Sequence, residues 1–140
     1  MYKATVRRLM RRGVRALNSG DLGPLLASFS EDAVLTFPGQ SSWAGEYRGK
    51  PAIEEFVRRF REAGLRGEVR DIVVNGPPWR MTVCALFVDR ATGADGTTIY
   101  ENRAMFLLRG KWGKVVSQED FLDTQKVAAF DEARRAGLGG

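Results

Sequence analysis

The alternation of apolar and polar positions predicts a long β-hairpin near the C-terminal end of the chain, from Thr97 to Asp123. Its first strand runs from Thr98 to Leu108, a turn covers 109–114, and a second strand follows. A period of two that is bounded by glycines is typical of a hairpin. The other predicted elements can be arranged around this pair of strands.

Polar residues interrupt the apolar faces of this hairpin. Asn102 shares a face with Phe106, and Gln118 and Asp120 share a face with Leu122. A strand that faces a solid core does not carry polar groups unless they are paired or line a cavity. The pattern therefore predicts a fold with a pocket.

Apolar residues at helical spacing predict a helix over 3–18 and a short helix over 22–29 that Asp21 caps. A third helix begins at Lys50-Pro51 and ends at Gly64, where glycine tolerates the end of a helix. The segment 124–136 is also helical in character. The helices thus lie mainly in the first half of the chain and at its end.

Further strands are predicted over 33–37, 66–75 and 79–90, with a turn at 30–32 and a loop over 38–50. Helices followed by a run of strands indicate an α+β fold with the helices on one face of an antiparallel sheet. The sequence predicts a single domain over residues 1–136 and a disordered tail over 137–140.

Composition adds constraints on environment. With 44% apolar and 28% charged residues, the chain of 140 residues has the make-up of an ordinary globular domain. It contains no apolar run long enough for a membrane span, and its first residues lack the apolar segment of a signal peptide, so a cytoplasmic protein is expected. The one cysteine, Cys84, lies in an apolar run and is interpreted as a buried small residue.

The absence of histidine narrows the possible chemistry most. Without histidine, the commonest general base, the histidine-containing triads and most zinc sites are excluded. Acid–base chemistry would fall to Asp, Glu, Tyr, Lys or Cys. No metal and no cofactor is predicted.

The net charge of +5 includes a stripe of arginines on the first helix, formed by Arg7, Arg8, Arg11, Arg12 and Arg15. We interpret the stripe mainly as a solvated helix face. An anionic partner, such as an acidic carrier protein or a phosphate-bearing ligand, is the alternative. Nucleic acid is disfavoured because the chain carries no recognisable nucleic-acid-binding motif.

Three phrases in order resemble the SnoaL-like branch of the nuclear transport factor 2 (NTF2-like) superfamily: ALNSGDLGPLLASFSEDAVLTFPG, YRGKPAIEEFVRRF and YENRAMFLLRGKWGKVVSQEDFLDT. The resemblance covers residues 3–133 and implies a curved antiparallel sheet wrapped around three helices as a cone with a deep pocket. It also implies a homodimer formed through the convex face of the sheet. Because one fold serves many functions, the resemblance does not settle an activity.

The epoxide hydrolases of this superfamily use an Asp–Arg–Asp arrangement with a Tyr and an Asn. Asp120 occupies the place of the last-strand aspartate, but Leu35 and Phe37 stand where the Tyr and Asn are expected. The segment 81–88, which matches the strand of the Arg and the other Asp, has no charged residue. A limonene-type epoxide hydrolase is therefore disfavoured.

The ketosteroid isomerases that resemble this chain place a base aspartate on the first strand, where only Thr36 is polar here, and a second Asp near Asn102. Neither carboxyl is present. The polyketide cyclases use a last-strand Asp, which Asp120 matches, although the histidine often paired with it is missing. Tyr100 and Asn102 would then polarise a carbonyl.

The resemblance leaves open a non-catalytic scaffolding module with a filled or closed pocket. Two further interpretations assign the pocket a ligand. The first is a small-molecule-binding protein that takes a hydrophobic ligand and lacks a complete catalytic set. The alternative is a cyclase-, isomerase- or dehydratase-like acid–base enzyme that uses Asp120 with Asn102 and Tyr100. In both, the expected ligand-binding residues are Phe37, Trp43, Tyr47, Phe56, Phe60, Phe106, Gln118 and Leu122.

Other polar residues of the hairpin have structural interpretations. Glu101, Arg103 and Glu119 are expected on the convex face in cross-strand ion pairs or dimer contacts. Asp123 directly precedes the last predicted helix and is expected to cap it.

Overall fold

The computed structural model describes residues 1–137. Its helices and strands follow the order expected of an α+β fold. They are α1 (Tyr2–Asn18), α2 (Gly23–Ala27), β1 (Phe29–Phe37), β2 (Gly45–Arg48), α3 (Lys50–Glu62), β3 (Leu65–Asn75), β4 (Met81–Thr92), β5 (Thr98–Lys111), β6 (Lys114–Leu122) and α4 (Thr124–Arg135). Of the predicted tail, residues 138–140 lie outside the described part.

The strands form one curved sheet in the order β2-β1-β6-β5-β4-β3. The predicted α+β class is confirmed, but the expectation of an entirely antiparallel sheet is wrong for one pair, since β1 and β6 run parallel. The direction of β1 is set by its antiparallel partner β2, which follows it closely along the chain. No tight turn links β1 to β6, so nothing forces that pair to be antiparallel.

Two segments that were predicted as irregular belong to the sheet. The predicted turn at 30–32 lies within β1, whose pairing with β6 shifts register between Phe29 and Val34. The predicted loop over 38–50 contains β2, in which Tyr47 pairs with Leu35. Strands this short or this irregular show no clear period of two, so backbone pairing with distant segments decides them.

The final hairpin is longer and its turn tighter than predicted. Lys111 pairs with Lys114, so the turn consists of Trp112 and Gly113 alone. Both residues have positive φ, 51° and 81°. Two central residues with positive φ match the right-handed twist of the paired strands, and this is the preferred geometry of a two-residue hairpin. The turn therefore projects the Trp112 side chain into solvent at the end of the sheet.

Helix α1 packs against the edge strand β3. Arg7 Nε donates to the carbonyl of Ile72 at 3.2 Å, and an Arg11 guanidinium nitrogen donates to the carbonyl of Val69 at 2.7 Å. An edge strand has carbonyls without a ladder partner, and these arginines satisfy two of them. The interpretation of the arginine stripe as a solvated helix face is thus wrong for Arg7 and Arg11, which are half-buried against β3.

The apolar faces of the helices and the concave face of the sheet together form the core. Within residues 1–137, no helix has the length and apolar character needed to cross a bilayer.

Candidate ligand-binding cavity

A cavity of about 380 Å³ lies between the concave face of the sheet and the helices. Its walls are mostly apolar, and residues of α1, α2, α3, α4 and five of the strands contribute to them. The core is therefore not filled solidly, which is what the polar residues of the hairpin indicated.

The two ends of the cavity differ in exposure. At one end Leu9 of α1 and Trp112 of the β5–β6 turn are 49% and 72% exposed. At the other end Tyr100 and Phe130 are buried and their rings lie 4.8 Å apart. We call the first end the mouth and the second the inner end.

Most of the predicted wall residues line this cavity. They are Phe37, Trp43, Phe56, Phe60, Phe106, Gln118 and Leu122. The aromatic rings contact one another, as in the edge-on pair of Trp43 and Phe56 at 5.7 Å between centroids. Such packing gives rigid apolar walls.

Tyr47 does not line the cavity, which corrects the expectation from the sequence. Its hydroxyl donates to the carbonyl of Trp43 at 2.6 Å, and its ring packs on Phe56 with 4.7 Å between centroids. Burial raises the pKa of the Tyr47 phenol, an effect that nearby Arg59 opposes. Tyr47 therefore supports the wall from behind, because β2 places it on the far side of Phe56.

Asp120 and Gln118 both point into the cavity from β6. Gln118 Nε2 donates to Asp120 Oδ1 at 2.9 Å. Burial raises the pKa of the Asp120 carboxyl from 3.8 to about 7; the bond from Gln118 opposes this shift, and the charge of Asp89 adds to it. Desolvation penalises the charged form, so Asp120 can hold or release a proton near neutrality.

Asn102 is buried on the inward side of β5 but does not line the cavity, contrary to expectation. Its Nδ2 donates at 3.0 Å both to the Tyr100 hydroxyl and to the carbonyl of Asp123. The start of α4 thus covers Asn102 and holds it behind Tyr100. Tyr100 itself lines the cavity, and burial, followed by the charge of Asp89, raises its pKa so that the phenol stays neutral.

The structure places a second carboxyl, Asp89, in the cavity wall. The buried residues of β4 alternate from Met81 through Phe87 to Asp89 and Ala91. Asp89 lies within the strand predicted over 79–90, just beyond its apolar middle, 81–88, and it was not among the predicted site residues. Continuing the same alternation would have found Asp89.

Asp89 is only 8% exposed, and its Oδ1 meets no donor within residues 1–137. Burial raises its pKa from 3.8 to about 7, against a smaller opposing effect of its own backbone N–H. The one cationic residue among the described lining residues is Arg109, which adjoins the turn at the mouth. Neither carboxyl forms an ion pair within residues 1–137, although both lie in the same wall as Arg109.

The remaining polar predictions concern residues outside the cavity. Glu101, Arg103 and Glu119 are exposed on the convex face, where Glu101 pairs with Arg90 at 2.9 Å. Asp123 caps α4 by accepting from the backbone N–H groups of Gln125 and Lys126. The predicted outer-face positions and the predicted cap are confirmed.

Cys84 corrects another expectation, because it is half-buried on the outer side of β4 and not part of the core.

Residues 10–118 of this chain match the family described as "SnoaL-like domain". The chain belongs to the SnoaL-like family. No functionally curated protein matches it in sequence.

Solved structures support the same fold. Bal32a from a soil-derived mobile gene cassette is 23% identical, with 90% of this chain and 95% of that chain covered and a TM-score of 0.76. An NTF2-like protein of unknown function from Burkholderia pseudomallei is 20% identical, with 90% and 96% covered and a TM-score of 0.73. TerC, co-crystallised with polyporic acid, is 20% identical, with 91% and 98% covered and a TM-score of 0.70. At these identities the similarity shows the NTF2-like fold.

Proposed function

We propose that this SnoaL-like protein binds a small, mostly apolar organic molecule in the cavity. The observation that carries the proposal is a cavity of about 380 Å³ with aromatic walls and a small polar group of side chains at specific positions. Pockets for small molecules fall in this range of volume and combine apolar walls with a few placed polar groups. The proposal takes further support from TerC, a protein of the same fold that was co-crystallised with polyporic acid.

A filled-cavity variant tests the proposal. Ala104 lines the cavity, so Ala104→Phe places a ring in the ligand's space. Ala128 is exposed on α4 and does not line the cavity, which makes Ala128→Phe the matched control. With Nile red as a neutral apolar probe, we expect saturable one-to-one binding that Ala104→Phe weakens roughly tenfold or more, as 1.4 kcal/mol of lost contact would do.

The control variant should bind Nile red as the unmodified protein does. Absence of saturable binding to the unmodified protein would contradict the proposal. Equal binding by Ala104→Phe would also contradict it, provided that thermal unfolding shows the variant to be folded.

Acid–base catalysis is a second candidate, and the buried Asp120 favours it. A carboxyl with a pKa of about 7 exchanges a proton readily at neutral pH. Tyr100 would polarise a ligand carbonyl, with Asn102 fixing the position of the Tyr100 hydroxyl. The chemistry would be a cyclisation, isomerisation or dehydration in which Asp120 removes and returns a proton.

Turnover of aromatic ketones and polyketide-like substrates, followed by chromatography, tests this second candidate. If Asp120 is the base, Asp120→Asn should lower kcat by roughly a hundredfold or more while binding persists. Gln118 Nε2 can still donate to the amide oxygen that this change introduces, so the pocket should keep its shape. Turnover that survives the change would remove Asp120 from the catalytic role.

We also propose that two copies pair through the convex face of the sheet. Val73, Met105 and Phe121 are 59%, 43% and 51% exposed there, which leaves apolar side chains of three strands in solvent. Met105 and Phe121 are direct partners across β5 and β6, and exposed apolar residues gathered on one face are typical of a protein–protein contact. Light scattering should give the mass of a dimer, and Phe121→Lys should give that of a monomer; a monomeric unmodified protein would contradict the proposal.

A further inference from the structure

Asp89 is a buried carboxyl at the cavity wall whose role the binding of a purely apolar ligand does not explain. The residue is 8% exposed, and its Oδ1 has no hydrogen-bond donor within the described residues 1–137. Burying an acceptor without a partner costs free energy, so native proteins seldom leave one unsatisfied. A hydrogen-bond donor from outside the described residues should therefore bond to Asp89 Oδ1.

The two residues that pair with Asp89 across the sheet use their donors elsewhere, and the Tyr100 hydroxyl makes no hydrogen bond to Asp89 Oδ1. Asp89 pairs across the sheet with Gly67 of β3 and Asn102 of β5. The Gly67 N–H donates to Asn18 Oδ1 at 2.9 Å. Asn102 Nδ2 makes its two bonds to Tyr100 and to the Asp123 carbonyl. These donors of Gly67 and Asn102 are thus used without forming a hydrogen bond to the Asp89 carboxyl.

The surroundings of Asp89 also limit the charge of a partner. Asp120 lines the same cavity, and each ionised carboxyl disfavours a second negative charge nearby. Arg109, the one cation among the described lining residues, adjoins the turn at the mouth. An anionic group at the inner end would therefore meet carboxyls and no counter-charge, whereas a neutral donor would meet acceptors.

We infer that Asp89 accepts a hydrogen bond from a hydroxyl group at the buried end of the ligand, so that the cavity selects an apolar molecule with a hydroxyl over one with an ether or a carboxylate at that end. This inference rests on the proposed function, because it assumes that the cavity holds a small molecule. It deepens that proposal by assigning the chemical class of the ligand. Asp89 acts here as a specificity-determining residue.

Three probes with the same naphthalene body test the inference: 2-naphthol, 2-methoxynaphthalene and 2-naphthoate. By calorimetric titration near pH 7, we expect 2-naphthol to bind the unmodified protein roughly tenfold tighter than the ether, the factor that one well-placed hydrogen bond supplies. The extra methyl group of the ether favours its burial, so this preference cannot come from hydrophobicity. The carboxylate should bind more weakly than the ether.

Asp89→Leu is the decisive variant, because leucine has the same branched arrangement of side-chain heavy atoms, although it is larger, and removes the acceptor. We expect it to bring the affinities of 2-naphthol and the ether within about twofold of each other. Removing an unpaired buried carboxyl should not prevent folding, and thermal unfolding checks this; Asp89→Ala serves if leucine does not fit. Glu119→Leu, which changes an exposed carboxylate on β6, is the matched control and should keep the full preference.

The outcomes separate this inference from the proposed function. If the ether binds as tightly as 2-naphthol, or if the preference survives Asp89→Leu, the inference is overturned while binding in the cavity stands. If 2-naphthoate binds the unmodified protein most tightly, the inference is likewise overturned. If neither Nile red nor any naphthalene probe binds, the proposed function fails and the inference fails with it.

Discussion

The two faces of the same three strands treat acidic residues in opposite ways. On the concave side, Asp89 and Asp120 are buried in an apolar wall, and neither forms an ion pair within residues 1–137. On the convex side, Glu101 is exposed and pairs with Arg90. Neighbouring positions on β4, β5 and β6 thus place the same chemical group in two different media.

The two faces therefore differ in which carboxyls can exchange a proton near neutral pH. An exposed carboxylate remains hydrated and adds little to stability or chemistry. A buried one loses its hydration, so its neutral form is favoured and it can exchange a proton near neutral pH. Because successive side chains of a strand point to opposite faces of the sheet, neighbouring residues can lie one in the buried and one in the hydrated environment.

The largest expected effect is on the pH dependence of stability. The pKa of Asp120 is raised from 3.8 to about 7 in the folded protein. Because the folded state keeps the proton more tightly than the unfolded state, the stability associated with this group is complete below about pH 4 and is lost as the pH rises through about 7. Asp120→Asn removes that loss.

We therefore expect Asp120→Asn to raise the free energy of unfolding at pH 8 by on the order of 2–4 kcal/mol, and to change it little at pH 4. Denaturant unfolding at both pH values measures the difference. Glu119→Gln, on the exposed side of the same strand, is the control and should show no such trend. If Asp120→Asn raises the free energy of unfolding equally at the two pH values, burial of Asp120 does not set the pH dependence of stability.

A smaller effect is expected from close packing on the concave face. A Cβ on Gly67 would lie 1.9 Å from Phe87 Cζ, so Gly67→Ala forces the Phe87 ring to move. Overpacking of this kind costs about 1–3 kcal/mol. Thermal or denaturant unfolding should show that loss, whereas Glu68→Ala, at the next and exposed position of β3, should be nearly neutral. Equal effects of the two changes would mean that the Phe87 ring relaxes freely.

The smallest effect is expected on the convex face. Arg90→Ala removes the exposed ion pair with Glu101 and should cost less than about 1 kcal/mol. The loss should shrink further in high salt, because screening weakens exposed charges. A loss comparable to the effect of Asp120→Asn at pH 8, measured by the same unfolding experiment, would show that both faces contribute alike.

Much of the cavity followed from local pattern. The alternation of β5 and β6 placed Tyr100, Phe106, Gln118 and Asp120 toward one side, and the structure has all four in the cavity wall. The same alternation along β4 also turns Asp89 inward. That residue was missed although it lies inside the predicted strand 79–90, because the apolar run 81–88 shows no period of two in its sequence.

Tyr47 and Asn102 show where pattern reasoning ends. Both occupy positions that sequence reasoning assigned to the pocket, yet the carbonyl of Trp43 binds the hydroxyl of Tyr47, and the carbonyl of Asp123 lies over Asn102. These partners come from a loop and from the start of a helix, whose placement no local period encodes. The same holds for the parallel pairing of β1 with β6.

Local chemistry along the chain was enough to specify the helices, the long strands, the capping by Asp123 and the presence of a polar-floored pocket, because burial follows the periods of 3.6 and 2 residues. Only the tertiary structure decided which polar groups reach the cavity and which are satisfied behind its wall. It also brought Asp89 and Asp120 from separate strands into one apolar enclosure, where neither forms an ion pair within residues 1–137 and the one cation among the described lining residues, Arg109, adjoins the mouth. Loss of hydration raises the pKa of both carboxyls there. How much hydration a group loses depends on the residues that the tertiary structure packs around it.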